Sequence, residues 1–175
     1  MVQDPSDAQL VVAAQAQPAA FDALYRRYLP AVYRYVRVRV GSTEDAEDVT
    51  AAVFMDVLAS LPGYREQGRF PAWLFTIARR RLMAHRRRSA KLELIDADDV
   101  TAPPAGTTDD LLDLLSRALP QLTEERQEAL RLRFFGGLPV AEVARLMGKG
   151  ESATKMLIHR GLAQLRDLLA EDVRG

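Results

Sequence analysis

Leu138-Pro139-Val140-Ala141-Glu142-Val143-Ala144-Arg145-Leu146-Met147-Gly148-Lys149-Gly150-Glu151-Ser152-Ala153-Thr154-Lys155-Met156-Leu157-Ile158-His159-Arg160 reads as a short helix, a glycine turn and a longer helix. Ala144 is small where two helices would cross. Gly148, four residues later, sits where the chain must turn and a positive φ is easily reached. This is the layout of a helix-turn-helix, which places one helix in the major groove of DNA. On a helical wheel the second helix separates into two faces. Thr154, Leu157, Ile158, Gly161, Leu162, Leu165 and Leu168 fall inward. Ser152, Lys155, Met156, His159 and Arg160 fall outward, a set of donors and cations suited to base edges and phosphates. Read alone, the pattern also fits a helical bundle that binds no DNA, and His159 also fits an idle surface position.

Outward from this stretch the chain is helical. Its 175 residues are 48% hydrophobic and 7% aromatic. Ala, Leu and Arg dominate, and there is no strand-like alternation of any length. With no cysteine, disulfides and thiolate zinc sites within the chain are excluded. The N-terminus, Met1-Val2-Gln3-Asp4-Pro5, has no basic start followed by an apolar run, so a secretory leader is not expected. No apolar run approaches the ~20 residues that span a bilayer. A cytoplasmic protein without membrane insertion is the expectation.

Net charge is zero, which argues against a nucleic-acid binder until its distribution is read. Residues 1–90 hold 13 Lys/Arg against 9 Asp/Glu, residues 91–115 hold 1 against 7, and residues 116–175 hold 10 against 8. Two mildly basic blocks flank an acidic strip. That strip, Asp96-Ala97-Asp98-Asp99-Val100-Thr101-Ala102-Pro103-Pro104-Ala105-Gly106-Thr107-Thr108-Asp109-Asp110, has no helical periodicity and reads as a linker. The expected architecture is therefore all-α. An N-terminal helical bundle over 1–90, an acidic linker over 91–110 and a helix-turn-helix domain over 111–175 make up the chain.

In the first block a helix is expected near Asp7 as N-cap. Phe21, Leu24, Tyr25 and Tyr28 line one face of the next helix, and Pro30 should bend or restart it. Val32, Val36 and Val40 continue its stripe to Gly41. Ser42 or Thr43 caps a further helix whose start is crowded with Glu44, Asp45, Glu47 and Asp48, as the helix dipole favours. Its inner face is Ala46, Val49, Val53 and Val57, and Pro62 closes it. After the loop Pro62–Arg69, Pro71 opens a helix running to about Arg88. The second block should hold helices over Asp109–Leu119 and Thr123–Phe135, stopped by Gly136-Gly137.

The helix from Pro71 buries Phe70, Leu74, Ile77, Ala78 and Leu82 and turns Arg79, Arg80, Arg86 and Arg87 the other way. Six arginines occupy positions 79–88, with no acid among them. The residues fit a solvated basic face; they also fit phosphate and base contacts. The preceding loop joins Tyr64, Arg65, Arg69, Phe70 and Trp73. Rings beside arginines stack an unpaired base and hold its backbone, although Phe70 and Trp73 fit a core plug equally well. The acidic run at 44–48 lacks further ligands for a metal, and no nucleophile–base pair or phosphate loop is visible. Neither an enzyme nor a bound cofactor or metal is expected. A free-standing helix-turn-helix regulator, a helical adaptor and a small nuclease are the competing classes.

Taken together, Phe21-x-x-Leu24-Tyr25-x-x-Tyr28, Asp45-Ala46-Glu47-Asp48-Val49 with Val53-Phe54, and Ala72-Trp73-Leu74-Phe75-Thr76-Ile77-Ala78-Arg79 resemble the N-terminal domain of extracytoplasmic-function sigma factors. Leu119-Pro120, Arg126-Gln127-Glu128-Ala129-Leu130-Arg131-Leu132 and the helix-turn-helix resemble that family's C-terminal domain, in the same order. The resemblance implies a promoter-specificity subunit of bacterial RNA polymerase. It implies that Tyr64, Arg65, Arg69, Phe70, Trp73, Arg79, Arg80, Arg86 and Arg87 capture and open the −10 element. Ser152, Lys155, Met156, His159 and Arg160 would read the −35 element. Asp45, Glu47, Asp48 and Phe54 would dock on the β′ clamp helices of core polymerase, the C-terminal domain would rest on the β flap, and the linker would thread the RNA exit path. An anti-sigma factor as regulator is also implied. Four positions depart from the family pattern: Arg80 where Asn is frequent, Ala84 where Asp is common, Thr154 for a frequent Val and Leu157 for a frequent Arg. They bear on which promoter is read rather than on the role.

Overall fold

The computed structural model describes residues 4–93 and 108–172, and all regular structure among them is helical. The elements are α1 (Asp7–Ala16), α2 (Phe21–Arg37), α3 (Thr43–Ser60), α4 (Phe70–Glu93), α5 (Thr108–Ala118), α6 (Glu124–Leu130), α7 (Val140–Met147) and α8 (Glu151–Asp172). The first four form one bundle and the last four another. Helix occupies both ends of the expected linker, because α4 continues past Arg88 to Glu93 and α5 begins at Thr108. The stretch between, with most of the acidic strip, lies outside the described residues.

Local chemistry sets the boundaries. The N-cap of α1 is Ser6, one residue before the expected Asp7. Ser6 and Gln9 exchange hydrogen bonds in a capping box. The Asp7 carboxylate is needed elsewhere: it accepts from Arg27 at 2.9 Å and from the Tyr28 hydroxyl, tying α1 to α2. Ser42 caps α3 by accepting from the backbone N–H of Asp45 at 3.0 Å. Pro30 does not restart α2, which is a single run from 21 to 37. The proline costs the hydrogen bond to the Arg26 carbonyl, but both residues face solvent, where water satisfies that oxygen.

The N-terminal core follows most of the expected stripes, with Phe75 added on α4 and Tyr25 left exposed on α2. Val32 and Val36, then Ala46, Val53 and Val57, then Leu74, Phe75 and Ala78 are completely buried. Each fully buried Val or Leu side chain contributes roughly 1.5–3 kcal/mol. Arg81 hydrogen-bonds Asp56 and clamps α4 to α3. In the second bundle Leu119, Leu130, Leu132, Leu138 and Val143 form the centre. The expected helix over 123–135 changes pitch: α6 ends at Leu130 and a wide π-type turn spans Arg131–Phe135. There the N–H of Gly136 donates to the Arg131 carbonyl at 2.9 Å, five residues back.

Gly148 ends α7 at φ +64°, the left-handed conformation the sequence requires. In α8, Thr154, Ile158 and Gly161 are buried as expected. Leu162 is not: it is 42% exposed, on the flank of the buried stripe rather than in it. Thr154 needs no DNA contact or outside partner, since its hydroxyl donates to the Gly150 carbonyl at 3.0 Å.

Candidate nucleic-acid interface

The loop between α3 and α4 is built around stacked rings. Tyr64 lies 4.4 Å from Trp73, centroid to centroid, and Phe70 fills the angle between them at 5.8 and 5.6 Å. Phe70 is itself buried against Tyr28. Of the five expected capture residues it is thus the platform under the rings, with no face left for a base. Gln15 of α1 holds the loop from behind, donating to the carbonyls of Leu61 at 2.9 Å and Tyr64 at 2.7 Å. Sequence reasoning did not single out Gln15, because a lone polar residue on a short helix carries no signal of what it will meet. Arg65 and Arg69 are exposed at the rim. Together with Trp73 and Thr76 these groups line a cavity of about 320 Å³. The Tyr64 hydroxyl is buried there without a hydrogen-bond partner.

The arginines of α4 divide. Arg80, Arg86 and Arg87 are exposed to solvent. Arg79 is not a free cation: its Nε lies 3.0 Å from the Glu128 carboxylate and its NH1 donates to the Leu146 carbonyl at 2.7 Å. The second bond caps α7, whose last carbonyls lack helical partners and mark the negative end of its dipole. As a result Arg145 and Leu146, from the first helix of the helix-turn-helix, form part of the wall of the ring-and-arginine cavity.

Glu128 is the centre of this contact. It is 8% exposed, accepts from the Tyr35 hydroxyl at 2.8 Å and pairs with Arg39 at 3.0 Å as well as with Arg79. Burial, with the Glu128 charge beside it, holds the Tyr35 phenol far above its ordinary range. Next to this network Tyr35 meets Phe75 edge to face at 5.2 Å, and Gly136 lies close against the Phe75 ring. Tyr35, Arg39 and Glu128 were not legible as a site from sequence, since they are 93 residues apart at the widest.

The expected reading face of α8 is open. Ser152, Lys155, His159 and Arg160 are exposed, and Met156 is half exposed. On α3 the acidic face is also open at Glu47 and Asp48, while Asp45 is half-buried and accepts from the Ser42 hydroxyl at 2.8 Å. Phe54 belongs to a different surface. It is 5% exposed and packs edge-on against Tyr25 and Phe21, so it has no ring face to offer a docking partner. The apolar groups that do stand out from α3 are Met55 and Leu58. Among the described residues no group of three or more His, Cys, Asp or Glu is placed to hold a metal, and no helix is long and apolar enough to cross a membrane.

Comparison with known proteins gives these surfaces a setting. Residues 24–92 match the family model for sigma-70 region 2, and residues 112–165 that for sigma-70 region 4. The chain is 41% identical over 180 residues to the ECF RNA polymerase sigma factor BldN of Streptomyces coelicolor, covering 95% of this chain and 67% of that one. It is 32% identical to the RNA polymerase sigma factor CarQ of Myxococcus xanthus, covering 87% of this chain and 90% of that one. The fold is similar to that of CnrH solved with the cytosolic domain of CnrY (TM-score 0.71, 24% identity, 93% of this chain and 96% of that one). It is also similar to the sigma factor RpoE solved with the anti-sigma factor NepR from Bartonella quintana (TM-score 0.69, 24% identity, 86% of this chain and 96% of that one). The chain belongs to the extracytoplasmic-function sigma factors of the sigma-70 family, which direct RNA polymerase to initiate transcription.

Proposed function

We propose that this sigma factor reads its promoter with two chemically different surfaces. Tyr64, Trp73, Arg65 and Arg69 capture an unpaired base of the −10 element in the loop cavity, with Arg80, Arg86 and Arg87 on the adjoining phosphates. Stacking contributes about 1–3 kcal/mol per base, enough to offset the few kcal/mol that extruding a base costs. Ser152, Lys155, Met156, His159 and Arg160 enter the major groove of the −35 element as a preformed helix face. Glu47 and Asp48, with the exposed Met55 and Leu58 beside them, meet core polymerase. The polymerase supplies all catalysis; this chain contributes binding and positioning. The related complexes of CnrH with CnrY and of RpoE with NepR support an anti-sigma protein as regulator.

The observation that carries this reading is the cavity of stacked rings and rim arginines set apart from an exposed recognition helix. A duplex reader has no use for the first, and a single-strand binder has none for the second. Promoter capture also requires the domains to separate. Arg145 and Leu146 wall the base cavity, and two elements some base pairs apart at about 3.4 Å each lie tens of ångströms from one another. Core polymerase should pull the domains apart. The test is reconstituted transcription with bacterial core polymerase, followed by mapping of start sites. A discrete promoter class that disappears with Lys155→Glu plus Arg160→Glu supports the reading. Undiminished specific initiation from that double variant overturns the assignment of the −35 face.

A further inference from the structure

Behind the Glu128 network, between the two domains, lies a polar cavity of about 530 Å³. It is separate from the loop cavity and from the reading face of α8. Its wall carries five arginine or lysine side chains against three glutamates. Internal pairs take up three of the five cations. Glu128 serves both Arg39 and Arg79, and Lys149 pairs with Glu125 at 2.6 Å. Two arginines, Arg86 and Arg131, are left over against one glutamate, Glu124. Arg131 is 7% exposed, and its Nε is buried with no hydrogen-bond partner. Arg86 faces it from α4 and makes no ion pair among the described residues.

Burying a guanidinium with an unmade hydrogen bond and like charges nearby is unfavourable. Burial lowers the Arg131 pKa to about 10, and the nearby charges of Arg39 and Arg86 push the same way. The arrangement becomes favourable once an anion supplies acceptors to both arginines. The size of the cavity is that of a small-molecule site, about 300–1,000 Å³, and too large for a single phosphate. Guanidinium forks match phosphate oxygens in pairs.

We propose that this cavity binds a small polyphosphate anion, inorganic or nucleoside-linked, which bridges Arg86 of the N-terminal domain and Arg131 of the C-terminal domain. The site exists only while the domains are together. By linkage its ligand stabilises the closed arrangement and opposes the separation that promoter capture needs. Nothing in the promoter reading is required for this binding to occur.

The test uses the full chain with inorganic tripolyphosphate as probe, followed by calorimetric titration and thermal melting at fixed ionic strength. Saturable one-to-one binding with a rise in melting temperature is expected. Affinity should fall by about tenfold or more in Arg86→Ala and in Arg131→Met, as removal of a charge-assisted fork implies. It should not change in Arg26→Ala, which removes an equal charge from the exposed face of α2. If the Met variant fails to fold, the exposed Arg86 position carries the test alone. ATP in place of tripolyphosphate distinguishes the two sources, tighter binding marking a nucleoside-linked ligand. Absence of saturable binding overturns the proposal, as does equal weakening in Arg26→Ala, which would mark diffuse attraction. So does Arg86-dependent binding of a single-stranded oligonucleotide with none of tripolyphosphate, because the phosphates would then belong to a nucleic-acid track.

Discussion

Arg79 of α4 and Glu128 of α6 form an ion pair at 3.0 Å that joins the two halves of the chain. Glu128 is almost fully buried and serves three donors, so it cannot leave quietly. Glu128→Ala leaves the Tyr35 O–H without its acceptor, although its oxygen still accepts from Arg39 at 2.9 Å, and places Arg39 and Arg79 near one another without an anion. Arg79 is one-third exposed, so water recovers part of the loss. The expected cost to domain docking is about 1–3 kcal/mol. Glu128→Gln should cost less, because the amide oxygen still accepts from Tyr35. Calorimetry checks this: one unfolding transition should split into two in the alanine variant. An unchanged single transition would mean that the carboxylate does not couple the domains.

Tyr64→Phe removes a hydroxyl that is buried without a partner. In the free chain it should be close to neutral, since only weak contacts with the backbone of Gln67 and Arg69 are lost and a desolvation cost disappears with them. Trp73→Ala removes the ring that stacks on Tyr64. It should weaken open-complex formation by about 1–3 kcal/mol, the worth of one stacked base, while leaving closed binding to a −35 duplex unchanged. Permanganate footprinting of the melted strand, set beside duplex binding, separates the two. Equal weakening in both assays would make Trp73 structural only.

Lys155→Ala and Arg160→Ala address the duplex reader. Both side chains are exposed on α8, so folding should be untouched. If the side chain sits on a phosphate, its removal should lower the slope of log affinity against log salt by about 0.9. If it reads a base edge, its removal should cost about 1–3 kcal/mol on the preferred sequence and little on others. Titrations of holoenzyme on two promoters at several salt concentrations assign each residue to one class. A residue that changes neither slope nor preference does not touch DNA.

Much of this was readable from the chain alone, for a physical reason. Gly148, Ala144 and the Thr154–Ile158 stripe are local signals: a turn and a buried face declare themselves within two or three helical turns. The ring cluster was also local, because Tyr64, Phe70 and Trp73 lie within ten positions. Periodicity could not rank Phe70 and Phe54 as buried rather than available, since a wheel shows which way a ring points and not whether another helix covers it. Pro30 misled because the cost of a missing hydrogen bond depends on whether water reaches the freed carbonyl. The Glu128 network was invisible. It joins residues of α2, α4 and α6 and of the turn after α2, up to 93 positions apart, and a glutamate in a helix of mixed charge looks like surface.

Acid should unfold the N-terminal bundle partly through Asp56. Hydrogen bonds from Arg81 hold its carboxyl below the usual carboxylate range. The folded state therefore releases this proton more readily than the unfolded chain. Its stabilisation is present above the ordinary carboxylate pKa and is lost as pH falls through the lower folded value. Asp56→Asn removes that dependence. Melting temperature against pH should be flatter on the acid side in the variant, with the wild type ahead at neutral pH and the two converging in acid. Parallel curves would show that the Arg81 pair is not the acid-sensitive clamp.

Gly136 tests whether the two domains meet in solution as they do here. A Cβ at this position would lie 2.8 Å from the Leu132 carbonyl and 3.1 Å from two carbons of the Phe75 ring. The carbonyl belongs to the π-type turn and the ring to the other domain. Neither is the loose end of a flexible chain, so Gly136→Ala should destabilise by about 1–3 kcal/mol. Phe75→Leu removes the ring half of the clash and leaves the carbonyl half. The double variant should therefore lose less than the two singles together, with a coupling of about 0.5 kcal/mol or more. Chemical denaturation of all four chains gives that number. Additive losses would mean that Phe75 and Gly136 do not touch, and the closed arrangement around Glu128 would then be without its apolar support.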